Sequence, residues 1–335
     1  MAELNLYIEN KDSMDMSEQQ NMQDLGFSGA LRHWEPMSRH VSWRAGGLAK
    51  CVYTPTDIAD LSVFLAHLPK AEAIYFVGLG SNLLVRDSGF DGTIIFMHRA
   101  LSAMQVLLKN DIGSISAQAG VPCPKVARFA ALNNLQGAEF LAGIPGTLGG
   151  AIAMNAGCYG SETWDAIVKV TTINRQGEIK VRARDAYQVA YRNVHLQTVP
   201  VVAEHIDLGA ASLDFEWFVA ATLQLQAGDG AQSRLKIKDF LARRIATQPL
   251  GQPNAGSVFR NPPGDYAARL IESCGLKGYA IGGAEISTKH ANFIVNKGSA
   301  TASDIEGLIT LAQHTVEMRC GIKLECEVRL IGGAR

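Results

Sequence analysis

Two glycine-rich segments carry the first chemical signal. "VGLGSNLL" spans residues 77–84, and "LAGIPGTLGGAIAMNAGCYG" spans 141–160 with six glycines and no charged residue. Successive backbone N–H groups in such loops form a concave nest for an anion. Glycine reaches the φ > 0 conformations needed and lets a phosphate approach the main chain. The first loop is not a dinucleotide fingerprint. Leu83 stands where the third glycine of G-x-G-x-x-G belongs, and strand-like residues follow. Neither loop holds the Gly-Lys-Ser/Thr of a Walker A motif. Two uncharged nests, with Ser81, Asn82 and Asn155 as polar partners, suit a pyrophosphate held by hydrogen bonds. Tight turns and close strand packing are the other possible origin of these glycines.

Other reactive residue types are less specific. Ser257 in "NAGSVFRNP" follows Gly256, but Phe259 replaces the second glycine of a G-x-S-x-G elbow, so acyl chemistry is unsupported. In "KLECEVRL", Leu324, Cys326, Val328 and Leu330 alternate with Glu325, Glu327 and Arg329. That period of two predicts a strand with its three charges on one face. The six cysteines, at 51, 123, 158, 274, 320 and 326, form no C-x-x-C and no zinc spacing. His290 has no metal-ligand neighbours, so no metal is expected. Reduced thiols fit a cytoplasmic protein.

The elements that position these residues follow from pattern. "TDIADLSVFLAHL" predicts a helix over 56–68 with Thr56 as N-cap. Strands are expected at 73–82, then on both sides of a Gly89–Gly92 turn within 83–96, and at 114–120. A helix is expected at 124–137, opening on Pro and closing on Gly. Further strands are read at 166–173, 178–182 and 216–225. Helices follow at 233–248, 266–275 and 302–321, with strands at "ANFIVN" and "KLECEVRLIG". Helices and strands alternate unevenly, so the class is α+β. The 335 residues, 47% hydrophobic and 19% charged, suit a globular chain of two or three domains. The first 24 residues carry six Asp/Glu against one Lys, and residues 1–36 are expected as a poorly ordered leader. A net charge of −1 leaves no electrostatic footprint for nucleic acid or an anionic membrane. No apolar run is long enough to span a bilayer.

Seven segments occur in one order: "SWRAGG" (42–47), "GLGSNLLVRDSGFDGTII" (78–95), "GIPGTLGGAIAMNAGCYG" (143–160), "YR" (191–192), "NAGSVFRNP" (254–262), "LKGYAIGGAEISTKHANFIVN" (276–296) and "LECEVRLIG" (324–332). The set resembles the UDP-N-acetylenolpyruvoylglucosamine reductase (MurB) family of peptidoglycan synthesis, over roughly residues 37 to 332. The resemblance implies an FAD-binding domain of the vanillyl-alcohol-oxidase (PCMH) type at 37–226 and a smaller substrate-binding domain at 227–335. It implies non-covalent FAD, NADPH as co-substrate, and reduction of an enolpyruvyl ether on a UDP-sugar. A monomer is expected, from the branch lacking an extra Tyr-bearing loop.

Roles carry over by motif. The resemblance implies Ser257 as proton donor, with Glu327 and Arg192 polarising the substrate carboxylate. Glu327 is expected to be protonated or to share a proton. FAD contacts are implied for Arg44, Gly78, Gly80, Ser81, Asn82 and Leu83. They are implied also for Gly143, Ile144, Pro145, Gly146, Thr147, Gly149, Gly150 and Asn155. Tyr191, Asn261, Lys277 and His290 are implied at the UDP-sugar, with Lys277 as the phosphate partner. Cys326 stands where the family often has proline, and Val194 where a serine is common. The competing readings are a flavin oxidase of the same superfamily and a non-catalytic nucleotide-binding protein. Flavin that leaves on denaturation argues against a covalently tethered oxidase; redox turnover argues against simple binding.

Overall fold

The structure, a computed structural model, describes residue 26 and residues 28–109, 112–197 and 216–333. Most of the leader expected over 1–36 lies outside the described residues. Its last seven residues do not fit that expectation, because they form β1 (Ala30–Pro36). β1 pairs antiparallel with β2 (Leu48–Thr54). Helix α1 (Ile58–His67) buries Leu61, Phe64 and Leu65, and its cap is Asp57 rather than Thr56: the Asp57 carboxylate accepts from Asp60 N. The chain continues through β3 (Ile74–Val77), β4 (Leu83–Val85) and β5 (Phe90–Phe96), with β2 and β3 parallel to β5 on either side. Gly89, at φ +82°, makes the turn; Gly92 lies inside β5 instead.

The second sheet is antiparallel. β6 (Met104–Lys109), which pattern reading missed, pairs with β7 (Ile112–Gln118). Helix α2 (Cys123–Leu132) stops well before Gly137, where Asn133 Nδ2 turns back to donate to Phe129 O at 2.8 Å. β8 (Leu135–Gln136), helix α3 (Leu148–Ala153), the small hairpin β9 (Gly157–Cys158) and β10 (Ser161–Glu162), and helix α4 (Thr163–Ala166) follow. β11 (Ile167–Asn174) and β12 (Ile179–Ala183) come next. A two-residue turn then joins β13 (Tyr187–Ala190) to β14 (Asn193–Leu196). β15 (Glu216–Ala227) enters the sheet between β11 and β7.

Helix α5 (Gly230–Thr247) corrects the expected boundary at 226/227. It packs into the amino-side core through Ile237, and Ser233 Oγ donates to Glu139 Oε1 at 2.7 Å. The carboxy-terminal unit therefore begins after it, with α6 (Ala267–Ser273), β16 (Ala280–Ile281), β17 (Ala284–Ile286), β18 (Ile294–Asn296), α7 (Ala302–Cys320) and β19 (Arg329–Ile331).

A strand pair, a helix cap and a buried tryptophan are among the contacts that join the units. β19 pairs parallel with β4. Asp87 caps α7, accepting from Ala302 N and Ser303 N at 2.9 Å each. Trp43 sits fully buried in the carboxy-terminal core, where its Nε1 donates to Ile294 O and Asn296 Nδ2 donates to its carbonyl, both at 2.8 Å. Trp43→Ala is expected to cost about 3–5 kcal/mol, because it leaves a large cavity and an unpaired carbonyl. A denaturant midpoint unchanged from wild type would show that the staple is dispensable.

Candidate active site

The two glycine loops meet. A Cβ on Gly78 would lie 2.3 Å from Thr147 Oγ1, and one on Gly146 would face Ser81 Oγ at 3.4 Å. Between them is a cavity of about 280 Å³ lined by Ser42, Leu79, Ser81, Pro145, Arg244, Asn254 and Gly256. It therefore touches both loops, α5 and the segment carrying Ser257.

The loops offer backbone donors. Gly80 is left-handed (φ +59°), and a Cβ there would strike His40 O at 2.3 Å. The carbonyls of this loop are used: Gly80 O accepts from Ser42 N, and Asn82 O from Arg329 N. Among the described residues, no acceptor takes the N–H groups of residues 79–82. That donor set, with a face at Gly146 open to it, fits the pyrophosphate of a dinucleotide.

Not every expected contact faces this cavity. Glycines 143 and 149 are small because the protein packs on them. A Cβ on Gly143 would strike Cys158 Sγ, and one on Gly149 would strike Ala119 Cβ. Leu83, Ile144 and Thr147 are buried, whereas Gly150 is open and Arg44 is exposed at φ +54°. Asn155 is fully buried, and protein groups consume its side chain. Its Nδ2 donates to Glu162 Oε2 and Ala190 O, and its Oδ1 accepts from Trp164 N. It is a bracket, not a free ligand contact.

What Asn155 brackets is the hairpin bearing Arg192. Arg192 occupies the β13–β14 turn at φ +56°, where glycine or asparagine is the comfortable choice. Its Nε meets Glu327 Oε1 at 2.6 Å, with the two side chains only 14% and 15% exposed, and its Nη1 donates to Asn155 O at 3.3 Å. The contact has the length of a charge-assisted pair. It sets the Glu327 carboxyl against a permanently charged guanidinium.

Glu327 does not lie on a strand. Residues 322–328 form an irregular segment that only becomes β19 at Arg329, so the period of two fails there. Backbone bonds pin it instead. Glu327 N donates to Val258 O at 2.8 Å, and Arg260 N donates to Glu325 O at 2.9 Å. Asn82 Nδ2 donates to Glu327 O at 3.0 Å. Ser257 is thus carried beside Glu327, following Gly256 at φ +76°. Among the described residues its hydroxyl makes no hydrogen bond. Glu325 points outward, 72% exposed, with Arg260 at 3.7 Å.

The other expected residues have partners of their own. Tyr191 is exposed beneath the Arg192 guanidinium, 4.9 Å from its ring centroid. Asn261 Oδ1 accepts from Ala267 N, Lys277 pairs with Glu272 at 2.9 Å, and His290 packs edge-on to Phe293. Burial lowers the His290 pKa, and the nearby Lys277 charge lowers it further. Sequence reasoning missed Arg244. It projects from α5 into the cavity beside the two uncharged glycine loops, and its Nε donates to Gln248 Oε1 at 2.9 Å. Burial lowers its pKa, opposed by the neighbouring Cys158 and Tyr159. Its one signal in the sequence is the run of basic residues at 234, 236, 238, 243 and 244.

Comparison with known proteins agrees with this geometry. Residues 49–182 match the model of an FAD binding domain. Residues 248–331 match that of the UDP-N-acetylenolpyruvoylglucosamine reductase C-terminal domain. A protein of that name from Nitrosospira multiformis is 54% identical over 95% of this chain and 94% of its own. One from Legionella pneumophila (strain Corby) is 51% identical over 91% and 94%. A crystal structure of the Thermus caldophilus reductase aligns with TM-score 0.70 at 27% identity, covering 90% of this chain and 98% of that one. The fold class is therefore α+β with an FAD-binding domain. With two domain models in the expected order and relatives matched nearly end to end, the chain belongs to the UDP-N-acetylenolpyruvoylglucosamine reductase family.

Proposed function

We propose that the cleft between the two units binds FAD without a covalent link and reduces UDP-N-acetylglucosamine enolpyruvate to UDP-N-acetylmuramate with NADPH. The observation that supports this best is convergence. Both glycine loops, Arg244, and the Ser257 segment line one cavity, with the Arg192–Glu327 pair beside it. The reading keeps the protein in the cytoplasm as a monomer; among the described residues, no helix is long and apolar enough to cross a membrane.

The N–H groups of residues 79–82, the Gly146 face and Arg244 would hold the FAD pyrophosphate. FAD supplies the two-electron chemistry, recharged by NADPH. The protein supplies placement, charge and a proton. Reduction at C3 of the enolpyruvyl group leaves negative charge at C2, delocalised into the carboxylate. Arg192 meets that charge with Nη2, since its Nε and Nη1 are already held by Glu327 and Asn155. Glu327 is then an orienting carboxylate. Ser257 Oγ, unengaged by protein groups, donates the proton to C2. Lys277 and His290 lie on the carboxy-terminal unit, where they would take the nucleotide phosphates and sugar.

Gly146→Leu tests the cofactor half. A bulky side chain there enters the space between the loops, where nothing but Ser81 Oγ comes within 4 Å of a Cβ. The variant is expected to fold, lose most of its bound FAD and purify nearly colourless, while wild type purifies yellow and releases FAD on denaturation. Wild type that is colourless and fails to bind added FAD would overturn the reading.

A further inference from the structure

Three guanidiniums crowd the Glu327 segment, and they are balanced differently. Arg192 pairs with Glu327 at 2.6 Å, and Arg260 faces Glu325 at 3.7 Å. Arg329 has no carboxylate within ion-pair distance among the described residues. Its Nε is buried without a hydrogen-bond partner, and its Nη2 rests on Met154 Sδ at 3.7 Å. Arg260 Nε is likewise unpartnered, but that side chain has its carboxylate. A guanidinium held partly out of water without an anion is costly. An anion from outside the chain relieves that cost.

The position of Arg329 narrows the choice of anion. Its backbone N–H donates to Asn82 O of the first glycine loop at 3.0 Å. Its side chain reaches Met154, next to Asn155, whose carbonyl accepts from Arg192 Nη1. Arg192 and Arg329 thus converge on one dipeptide of the second glycine segment. Among the described residues, Glu327 is the one carboxylate within ion-pair distance of either; Glu162 accepts from the Asn155 side chain and pairs with neither. One formal positive charge is left over, and one ligand carboxylate balances it.

We infer that Arg329 binds the carboxylate of the three-carbon enol acid, so that Arg192 and Arg329 grip it together. This rests on the function proposed above. A planar fork on a carboxylate fixes its orientation as well as its charge. It therefore sets which face of C2 Ser257 meets. Arg329 also discriminates. A UDP-sugar without the acid leaves the surplus charge unmet and gains nothing from it.

The test uses FAD-loaded wild type, Arg329→Ala and Arg329→Lys. Each is titrated at equilibrium with the enolpyruvyl substrate and with UDP-N-acetylglucosamine, which lacks the acid, following the perturbed flavin absorbance. Arg329→Ala is expected to weaken substrate binding roughly 10- to 100-fold, the loss of a charge-assisted contact, with UDP-N-acetylglucosamine binding and FAD content unchanged. Arg329→Lys, which keeps the charge but not the fork, should fall between, and carries the test if Ala costs FAD. Unchanged substrate affinity, or equal weakening of both ligands, overturns the inference. So does loss of FAD from both variants, which would assign Arg329 to the cofactor. A wild type that binds neither ligand sinks the functional reading, and this inference with it.

Discussion

Ser257→Ala is expected to leave NADPH-driven bleaching of the flavin band intact and to slow its return with substrate about 10²–10⁴-fold. The two half-reactions differ in one respect. Only the second places a proton on a substrate carbon. A serine hydroxyl is a weak acid in water, but the carbon it meets is strongly basic once charge has developed there. What the protein must provide is position. The bond from Glu327 N to Val258 O holds the Ser257 segment against the charged pair. Among the described residues the hydroxyl has no hydrogen-bond partner, so removing it costs little stability. Stopped-flow absorbance separates the phases. Equal slowing of both would mean a damaged flavin site, and a normal second phase would remove Ser257 as the acid.

How much of this was legible in sequence varies by residue. The two glycine loops and the α5 helix could be read because each is local, whereas a role for Ser257 came only from the resemblance. A turn needs glycine where φ is positive, and a helix shows its buried stripe. At Gly143 and Gly149, sequence cannot show that Cys158 and Ala119 fill the space a side chain would need. Asn155 was misread for a related reason: its burial depends on Glu162, Trp164 and Ala190 arriving together. The alternation through Glu325, Glu327 and Arg329 was real but not a strand. Neighbours from residues 82 and 258–260 take up its backbone bonds, so the charges disperse. Glu325 faces water, Glu327 takes Arg192, and Arg329 turns to Met154. Which arginine pairs with which glutamate is a tertiary choice, invisible to a window of ten residues.

Removing either member of the Arg192–Glu327 pair is expected to slow reduction of the enolpyruvyl ether about 10²–10³-fold, roughly 2.7–4 kcal/mol, with FAD content unchanged. The pair acts as a unit. At 2.6 Å, Glu327→Gln frees the Arg192 fork from its only carboxylate among the described residues, and Arg192→Ala leaves Glu327 without its cation. The double variant should therefore cost little more than either single one. Glu325→Gln is the control: that carboxylate is 72% exposed, and its loss should be nearly silent. Arg192→Gly sharpens the argument. Residue 192 sits at φ +56°, a conformation that costs a non-glycine residue about 1–2 kcal/mol. Glycine relieves that strain while losing the same ion pair, so this variant should unfold later than Arg192→Ala and be equally slow. A side chain kept against the local preference of its own turn is being kept for what its guanidinium does. If Arg192→Gly is fully active, or if Glu325→Gln is the crippled variant, the charged pair has been assigned to the wrong residues.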